Sequence, residues 1–208
     1  MNNLVIAGYG GLAREVKWLV DRLNASQPLW NFLGFIDTND ALQVIGNDDF
    51  IINCKDQLSV VIAIADPVLR TRLYERYRQN PNVSFPNLLD PSVICSDEMV
   101  MGQGNIICAG TVLTVNITLG DFVIINMDCT VGHDAVLGSF VTVNPGVNIS
   151  GNANIGISCF IGAGAQILQG HTIGRGTSVA SGAVVNRSLP ENVQAVGAPE
   201  RFVSFRKS

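Results

Sequence analysis

Charge is scarce in this sequence. Asp, Glu, Lys and Arg together make up 14% of its 208 residues, and the formal net charge is −4. That balance offers no basic field to a phosphate backbone, so no nucleic-acid partner is expected. Long apolar runs are also missing: no window approaches 18 uninterrupted apolar residues, so no membrane span is expected. The first eight residues, Met1 to Gly8, carry no basic segment and no apolar stretch long enough for a signal peptide, which points to the cytoplasm. The five cysteines are odd in number and never form C-x-x-C, so they read as small buried residues in a reducing compartment. Only two histidines occur, His133 and His171. A catalytic zinc site needs three protein ligands, so no metal is expected. What the chain does have is apolar residues (47%) and 21 glycines. That mixture argues against disorder and suits a β-rich or repeat architecture with many tight corners.

From residue 101 the chain keeps a six-residue beat. Met101, Ile107, Leu113, Leu119, Ile125, Val131, Leu137, Val143, Ile149, Ile155, Ile161, Ile167, Ile173, Val179 and Val185 all fall on it. The following position is often Gly, at 102, 120, 132, 138, 156, 162 and 174, which we read as supplying left-handed corners. Two residues before the aliphatic the side chain is mostly small: Thr111, Cys129, Ala135, Ala153, Cys159, Ala165, Thr177 and Ala183. Residues two apart in a strand share a face, so both point inward. Three such sides close a triangular coil of 18 residues, and the stretch from 101 to 190 makes five coils.

The N-terminal part has a different grammar. Leu4 to Gly8 reads as a buried strand, and Gly8-Tyr9-Gly10-Gly11-Leu12-Ala13 leads into a helical pattern through about Leu23. Gly-x-Gly-x-x-Ala between strand and helix matches the dinucleotide fingerprint. A second strand, Phe32 to Ile36, ends at Asp37, and a third, Val60 to Ile64, leads through Asp66 and Pro67 into a helix from Val68 to Arg78. Strand–helix alternation implies a small parallel α/β unit over residues 1–85. The glycine turn alone could simply pack strand on helix. About 80 residues supply one nucleotide half, too few for a full NAD(P) site. Pro81, Pro86 and Pro91 mark the passage into the second part, 86–208, which ends in a tail.

The hexapeptide pattern resembles that of the hexapeptide-repeat acyltransferases, whose prism is a left-handed parallel β-helix. The order of parts is similar to one branch of that family: Gly-Tyr-Gly-Gly-Leu-Ala-Arg-Glu-Val and Gly-Phe-Ile-Asp, then Val-Gly-His-Asp in the prism, then Val-Gly-Ala-Pro at 196–199. That branch acetylates nucleotide-linked amino sugars, or sialic acid, for surface glycans. The resemblance implies a half-Rossmann-like unit followed by a left-handed β-helix, acetyl-CoA as co-substrate, and a homotrimer with CoA between neighbouring prisms. It places nucleotide binding on Gly8, Gly10, Gly11 and Asp37. Some members carry His in the glycine turn where this chain has Leu12.

The beat puts His133 and Asp134 on a corner, pointing out of the prism. One coil before His133 stands Val115, and one coil after stands Gly151, which should leave an open notch with a bare N–H beside the imidazole. Imidazole titrates in the range where an attacking amine or hydroxyl must lose its proton, and Asp134 can fix its tautomer. In the family the matching histidine is the general base. No Ser or Cys is poised as nucleophile, so direct transfer is expected. CoA-side residues would be Gly151, Ala163, Ser181 and Gly182, with Arg187 in the His133 column either meeting a phosphate or merely solvated. His171 falls in the inward phase and reads as a packed or interface residue. The beat carries no inserted loop, so the site needs a second wall from another subunit. Two other readings stay open: an O-acetyltransferase acting on sialic acid or another sugar, and a non-catalytic trimeric module that binds nucleotide.

Overall fold

The structure is a computed structural model that describes residues 1–39 and 41–204. The last four residues of the expected tail, 205–208, lie outside the described residues. In the N-terminal unit the elements run β1 (Asn2–Ala7), α1 (Gly11–Ser26), β2 (Trp30–Ile36), β3 (Val44–Gly46), α2 (Asp48–Ile52), β4 (Leu58–Ile62), α3 (Pro67–Tyr77) and β5 (Val83–Ser84). The strands form one parallel sheet in the order β3-β2-β1-β4-β5. Sequence patterning shows three of these strands. It misses β3 and β5, which have three and two residues and so no room for a hydrophobic period.

The sheet is covered on both faces, which is why its central strands are apolar throughout and do not alternate. Leu4, Ile6, Phe35 and Val61 pack against Ala13, Val16, Leu19 and Val20 of α1. Val5, Ala7, Ile36, Val60 and Ile62 pack against Ile51 of α2 and Tyr77 of α3 on the other side. Helix α3 starts cleanly because the Asp66 carboxylate accepts from the Leu69 N–H at 2.7 Å and Pro67 occupies the first turn.

From Leu88 onward the chain winds into a three-sided parallel β-helix. The first face stacks 88–89, 106–107, 124–125, 142–143, 160–161 and 178–179. The second stacks 94–95, 112–113, 130–131, 148–149, 166–167 and 184–185. The third stacks 100–101, 118–119, 136–137, 154–155 and 172–173. Paired residues are 18 apart, as in Leu113↔Val131↔Ile149. Every aliphatic on the beat from Ile107 to Val185 is buried, and so are the small residues that share its face. Burying each such side chain contributes about 1.5–3 kcal/mol, which drives the stacking. The prism begins earlier than residue 101, since Leu89 and Cys95 already stand in phase. At the far end, Val193–Val196 joins the first face in parallel and Arg201–Ser204 turns back antiparallel to it.

The glycines after the beat do not take left-handed conformations, which corrects the sequence expectation. A Cβ on Gly132 would lie 2.5 Å from the Gly151 nitrogen, and one on Gly162 would lie 2.4 Å from the Ser181 nitrogen. Glycine is needed there because the next coil's backbone leaves no room. The left-handed residue comes two places later, at Phe122 (φ 55), Asp134 (φ 59), Phe140 (φ 61), Gly164 (φ 68) and Gly182 (φ 68) among others.

The α/β unit sits on the first face. Outward residues there (Leu88, Ile106, Ile124, Thr142) are buried, whereas Thr130 on the second face and Thr118 and Val136 on the third are exposed. Helix α1 lies between sheet and prism, sharing one core with Leu88, Ile106, Cys108 and Ile124.

Candidate active site

His133 occupies the corner between the second and third faces, after Thr130–Val131 and before Val136–Leu137. Its side chain is 49% exposed, as an outward corner position requires. Nδ1 lies 2.7 Å from Asp134 Oδ2. Asp134 reaches back to its neighbour because it holds the left-handed conformation at the corner, one that Asp tolerates better than most residues. Asn116, one coil earlier, donates to Asp134 Oδ1 at 3.1 Å. The His133 and Asn116 hydrogen bonds hold the Asp134 carboxyl below the usual carboxylate range. A carboxylate facing Nδ1 puts the proton on that nitrogen and leaves Nε2 as the basic one.

The ring lies over Gly151, and the notch expected from the sequence is filled by it. A Cβ at Gly151 would come 2.5 Å from His133 Nε2 and 2.6 Å from Cε1. Gly151 is buried beneath the ring, so it seats the imidazole and presents no open N–H to solvent.

Ala163, Ser181 and Gly182 are exposed but stand on the corner between the first and second faces, not on that of His133. The structure therefore brings His133, Asp134 and Gly151 together and sets the other three one face away within the same chain. Arg187 shares the His133 column, and its Nε donates to Glu200 Oε1 at 2.7 Å. Burial raises the Glu200 carboxyl, but bonds from the Asn186 N–H, its own backbone and Arg187 outweigh this and hold it low. His171 is half-buried in the inward phase, and its carbonyl accepts from the Asn154 N–H at 3.0 Å. No group of three or more metal-ligating side chains exists among the described residues. Burial pushes the thiols of Cys129 and Cys159 up to about 11 and that of Cys108 up to about 12, so these are poor nucleophiles at neutral pH.

The second cluster lies at the carboxyl ends of β1, β2 and β4, where an open parallel sheet binds ligands. Gly8 takes φ +107, and a Cβ there would meet Ile64 Cδ1 at 2.8 Å, so glycine is required. Gly10 caps α1 without any side-chain bond, and nothing lies within 4 Å of a Cβ at Gly10 or Gly11. The first turn of α1 holds no acidic residue. Free N–H groups and the helix dipole thus face open space, the arrangement that receives phosphate. Gly8, Ile36, Asp37, Thr38, Asp48, Ile64, Leu69, Leu73 and Tyr77 line a crevice of about 220 Å³. A hollow of about 510 Å³ adjoins it, with Asp37 and Thr38 common to both. Asp37 Oδ1 accepts from the Asn39 N–H at 3.1 Å. Sequence reasoning missed Asp48, which is fixed by Tyr77 Oη at 2.5 Å and Arg76 at 2.6 Å. Asp48 sits in a five-residue helix that gives little periodic signal. Leu12 does not face the crevice, because it packs into the core between sheet and prism.

Among the described residues no helix is long and apolar enough to cross a membrane. Residues 3–77 match the model of the PglD N-terminal domain family. No curated protein sequence matches the chain. Among solved structures it is similar to WeeI from Acinetobacter baumannii AYE, at 32% identity and TM-score 0.87, over 98% of this chain and 100% of that one. It is similar to PerB from Caulobacter crescentus in complex with CoA and GDP-perosamine, at 31% identity and TM-score 0.88, over 98% of each chain. It is also similar to the acetyltransferase domain of PglB from Neisseria gonorrhoeae in complex with acetyl coenzyme A, at 28% identity and TM-score 0.89, over 98% of this chain and 100% of that one. The fold is the expected one, a small parallel α/β unit followed by a left-handed β-helix. The chain belongs to the acetyl-CoA-dependent hexapeptide-repeat sugar acetyltransferases that carry a PglD-type N-terminal domain.

Proposed function

We propose that this enzyme transfers the acetyl group of acetyl-CoA to the amine of a nucleotide-linked amino sugar, in the cytoplasm, for surface glycan synthesis. Amine transfer is favoured over the hydroxyl reading by the structural relatives, which include a perosamine N-acetyltransferase crystallised with CoA and GDP-perosamine. The observation that carries the mechanism is the His133 Nδ1 to Asp134 Oδ2 contact beneath a half-exposed ring. The sugar amine attacks the thioester carbonyl carbon while Nε2 of His133 takes the amine proton. The tetrahedral adduct then expels the CoA thiolate, which takes that proton from the imidazolium and leaves as the thiol. Asp134 keeps the tautomer and stabilises the imidazolium. Transfer is direct and needs no acyl-enzyme.

Residues 1–85 hold the acceptor and residues 86–208 carry the transfer. Gly8, Gly10 and Gly11 receive the diphosphate, and Asp37 contacts the nucleoside. The α/β unit lies on the first face, and His133 lies at the vertex opposite that face. An acceptor held in the crevice therefore meets the His133 of another subunit. Tyr9 and Leu12 pack into the same core as Met127, at the corner that also carries Ala163, Ser181 and Gly182. One subunit thus supplies the crevice and the CoA-side corner, while its neighbour supplies His133 and Asp134 on Gly151, an arrangement that closes as a homotrimer.

The test is thiol release from acetyl-CoA with UDP-, dTDP- and GDP-linked 4-amino sugars. His133→Asn is expected to lower kcat by about 10²–10⁴-fold with the fold intact, because the corner contributes little packing. Asp134→Asn is expected to be milder. Activity of His133→Asn within threefold of wild type would overturn the assignment, and turnover only with hydroxyl acceptors would return the O-acetyl reading.

A further inference from the structure

Arg70 heads the largest fully buried side chains among the described residues. Its hydrogen bonds go to backbone carbonyls, with the Asp66 charge close by. From α3 its Nε donates to the Phe122 carbonyl at 3.0 Å. Nη1 donates to the Ile64 and Ala65 carbonyls at 2.6 and 3.1 Å. Nη2 donates to the Phe140 and Val141 carbonyls at 2.7 and 3.2 Å. Two of these acceptors belong to the rim of the nucleotide crevice, just after β4, and three belong to successive corners of the prism. Thr142 Oγ1 makes the same link from the prism side, donating to the Ala65 carbonyl at 2.6 Å. Burial pushes the guanidinium down to about 9, so it stays charged at neutral pH.

The prism corners that Arg70 grips place aromatic residues in the left-handed position that recurs around the prism. Phe122 and Phe140 both hold left-handed conformations, at φ 55 and φ 61, where a bulky side chain is unfavourable and Gly or Asn is usual. Their rings stack at 5.3 Å and enclose Tyr74 of α3 together with Phe85. Strain and a buried charge at one contact need a compensating return. Part of it comes from folding, since Phe122 and Phe140 share one core with Tyr74, Tyr77 and Phe85. Beyond that, the Arg70 hydrogen bonds tie the chain just after β4 directly to two prism corners.

We infer that Arg70 is a positioning residue for acetyl transfer: it locks the Ile64–Ala65 rim of the nucleotide crevice to the Phe122 and Phe140–Val141 corners of the prism, so that the acceptor sugar is delivered at a fixed height along the prism. This rests on the crevice being the nucleotide site. The crevice holds the nucleotide, and the amine at the far end of the substrate must reach a histidine fixed to a prism. Any tilt of the unit on the prism is magnified over that lever. Binding energy from the nucleotide is then converted into orientation at the amine only while the clamp holds. A substrate without the nucleotide does not use the clamp.

The experiment compares two acceptors, a nucleotide-linked 4-amino sugar and the same 4-amino sugar without the nucleotide, with wild type, Arg70→Lys, Thr142→Val and His133→Asn. With the linked sugar, Arg70→Lys is expected to lower kcat/KM on the order of 10²-fold and Thr142→Val about threefold to tenfold, as a displacement near 1 Å does. With the free sugar both variants are expected to stay within about twofold of wild type, and calorimetric affinity for acetyl-CoA is expected to be unchanged. An equal fall for both acceptors, or no fall for either, overturns the positioning role. Thr142→Val keeps the comparison valid if Arg70→Lys folds poorly. If wild type shows no preference for the linked sugar, the crevice assignment fails first and the positioning role falls with it, whereas loss of both activities in His133→Asn stands independently.

Discussion

At the residue scale, His133 and Gly151 act as a pair one coil apart. Gly151 takes no positive φ, so its missing side chain serves only the ring above it. Gly151→Ala would place a methyl 2.5 Å from Nε2 and must tilt the imidazole. The expected result is a fall in kcat of about 10–100-fold, since a shift near 1 Å carries that cost, with little change in Tm. Wild-type kcat in this variant would mean that the seat of the ring does not matter. The six-residue beat made the outward position of His133 and its glycine neighbour legible, because both follow from arithmetic on 18. It did not show that the ring fills the notch, since a rotamer is not a spacing. It also misassigned the glycines after the beat. Close approach between coils and left-handed φ both select glycine, and only coordinates separate Gly132 or Gly162 from Gly164. Arg70 was illegible, because an arginine in a helix reads as solvent-facing until five carbonyls are found around it.

At the element scale, α1 is a splint between sheet and prism. Its apolar stripe, Ala13, Val16, Leu19 and Val20, is readable in the sequence, but what the stripe covers is not. Arg22 at its C-terminal part grips Asp90 of the first coil in a two-pronged bond, at 2.6 and 3.0 Å. Burial raises the Asp90 carboxyl, but Arg22 and Ser92 outweigh it and set it below the usual carboxylate range. A group with a depressed folded-state pKa stabilises above its unfolded value and loses that contribution as pH falls through the folded one. Asp90→Asn is therefore expected to be less stable than wild type at neutral pH. The gap should close as the solution is acidified below about pH 4, the ordinary range for Asp. Melting curves of both proteins at stepped pH measure this. A gap that persists unchanged at low pH would show that Asp90 acts through packing alone.

At the scale of the whole molecule, His133 stands at the vertex opposite the face that carries the α/β unit, and the proposed site is therefore built from two chains. His133→Asn and Asp37→Ala, each impaired alone, are expected to recover activity when their subunits are unfolded together and refolded as mixed trimers. Random assortment in a closed ring restores about a quarter of the sites, since a working one needs an intact crevice beside an intact histidine. The assay belongs at low sugar nucleotide, where Asp37→Ala is weakest. No recovery in verified mixed trimers would place both clusters of a site in one chain. The trimer itself was suggested by the family pattern. The position of the histidine opposite the face that carries the α/β unit, the observation behind the proposed trimer, is visible only in the strand pairing.

The 18-residue coil is also a ruler. Each winding advances about 4.8 Å, the spacing of paired strands, so a length along the prism is stored as a whole number of windings. His133 and Arg187 are three windings apart in one column, a span of about 14 Å by the same spacing. Ordinary point mutation cannot change that distance, because side chains point across the axis and not along it. Only gain or loss of a full winding can, and it does so in one fixed step while leaving every corner in phase. A co-substrate lying along the column is therefore measured in quanta. Removing residues 152–169 should leave a folded, shorter prism whose affinity for acetyl-CoA drops while its affinity for the sugar nucleotide is retained.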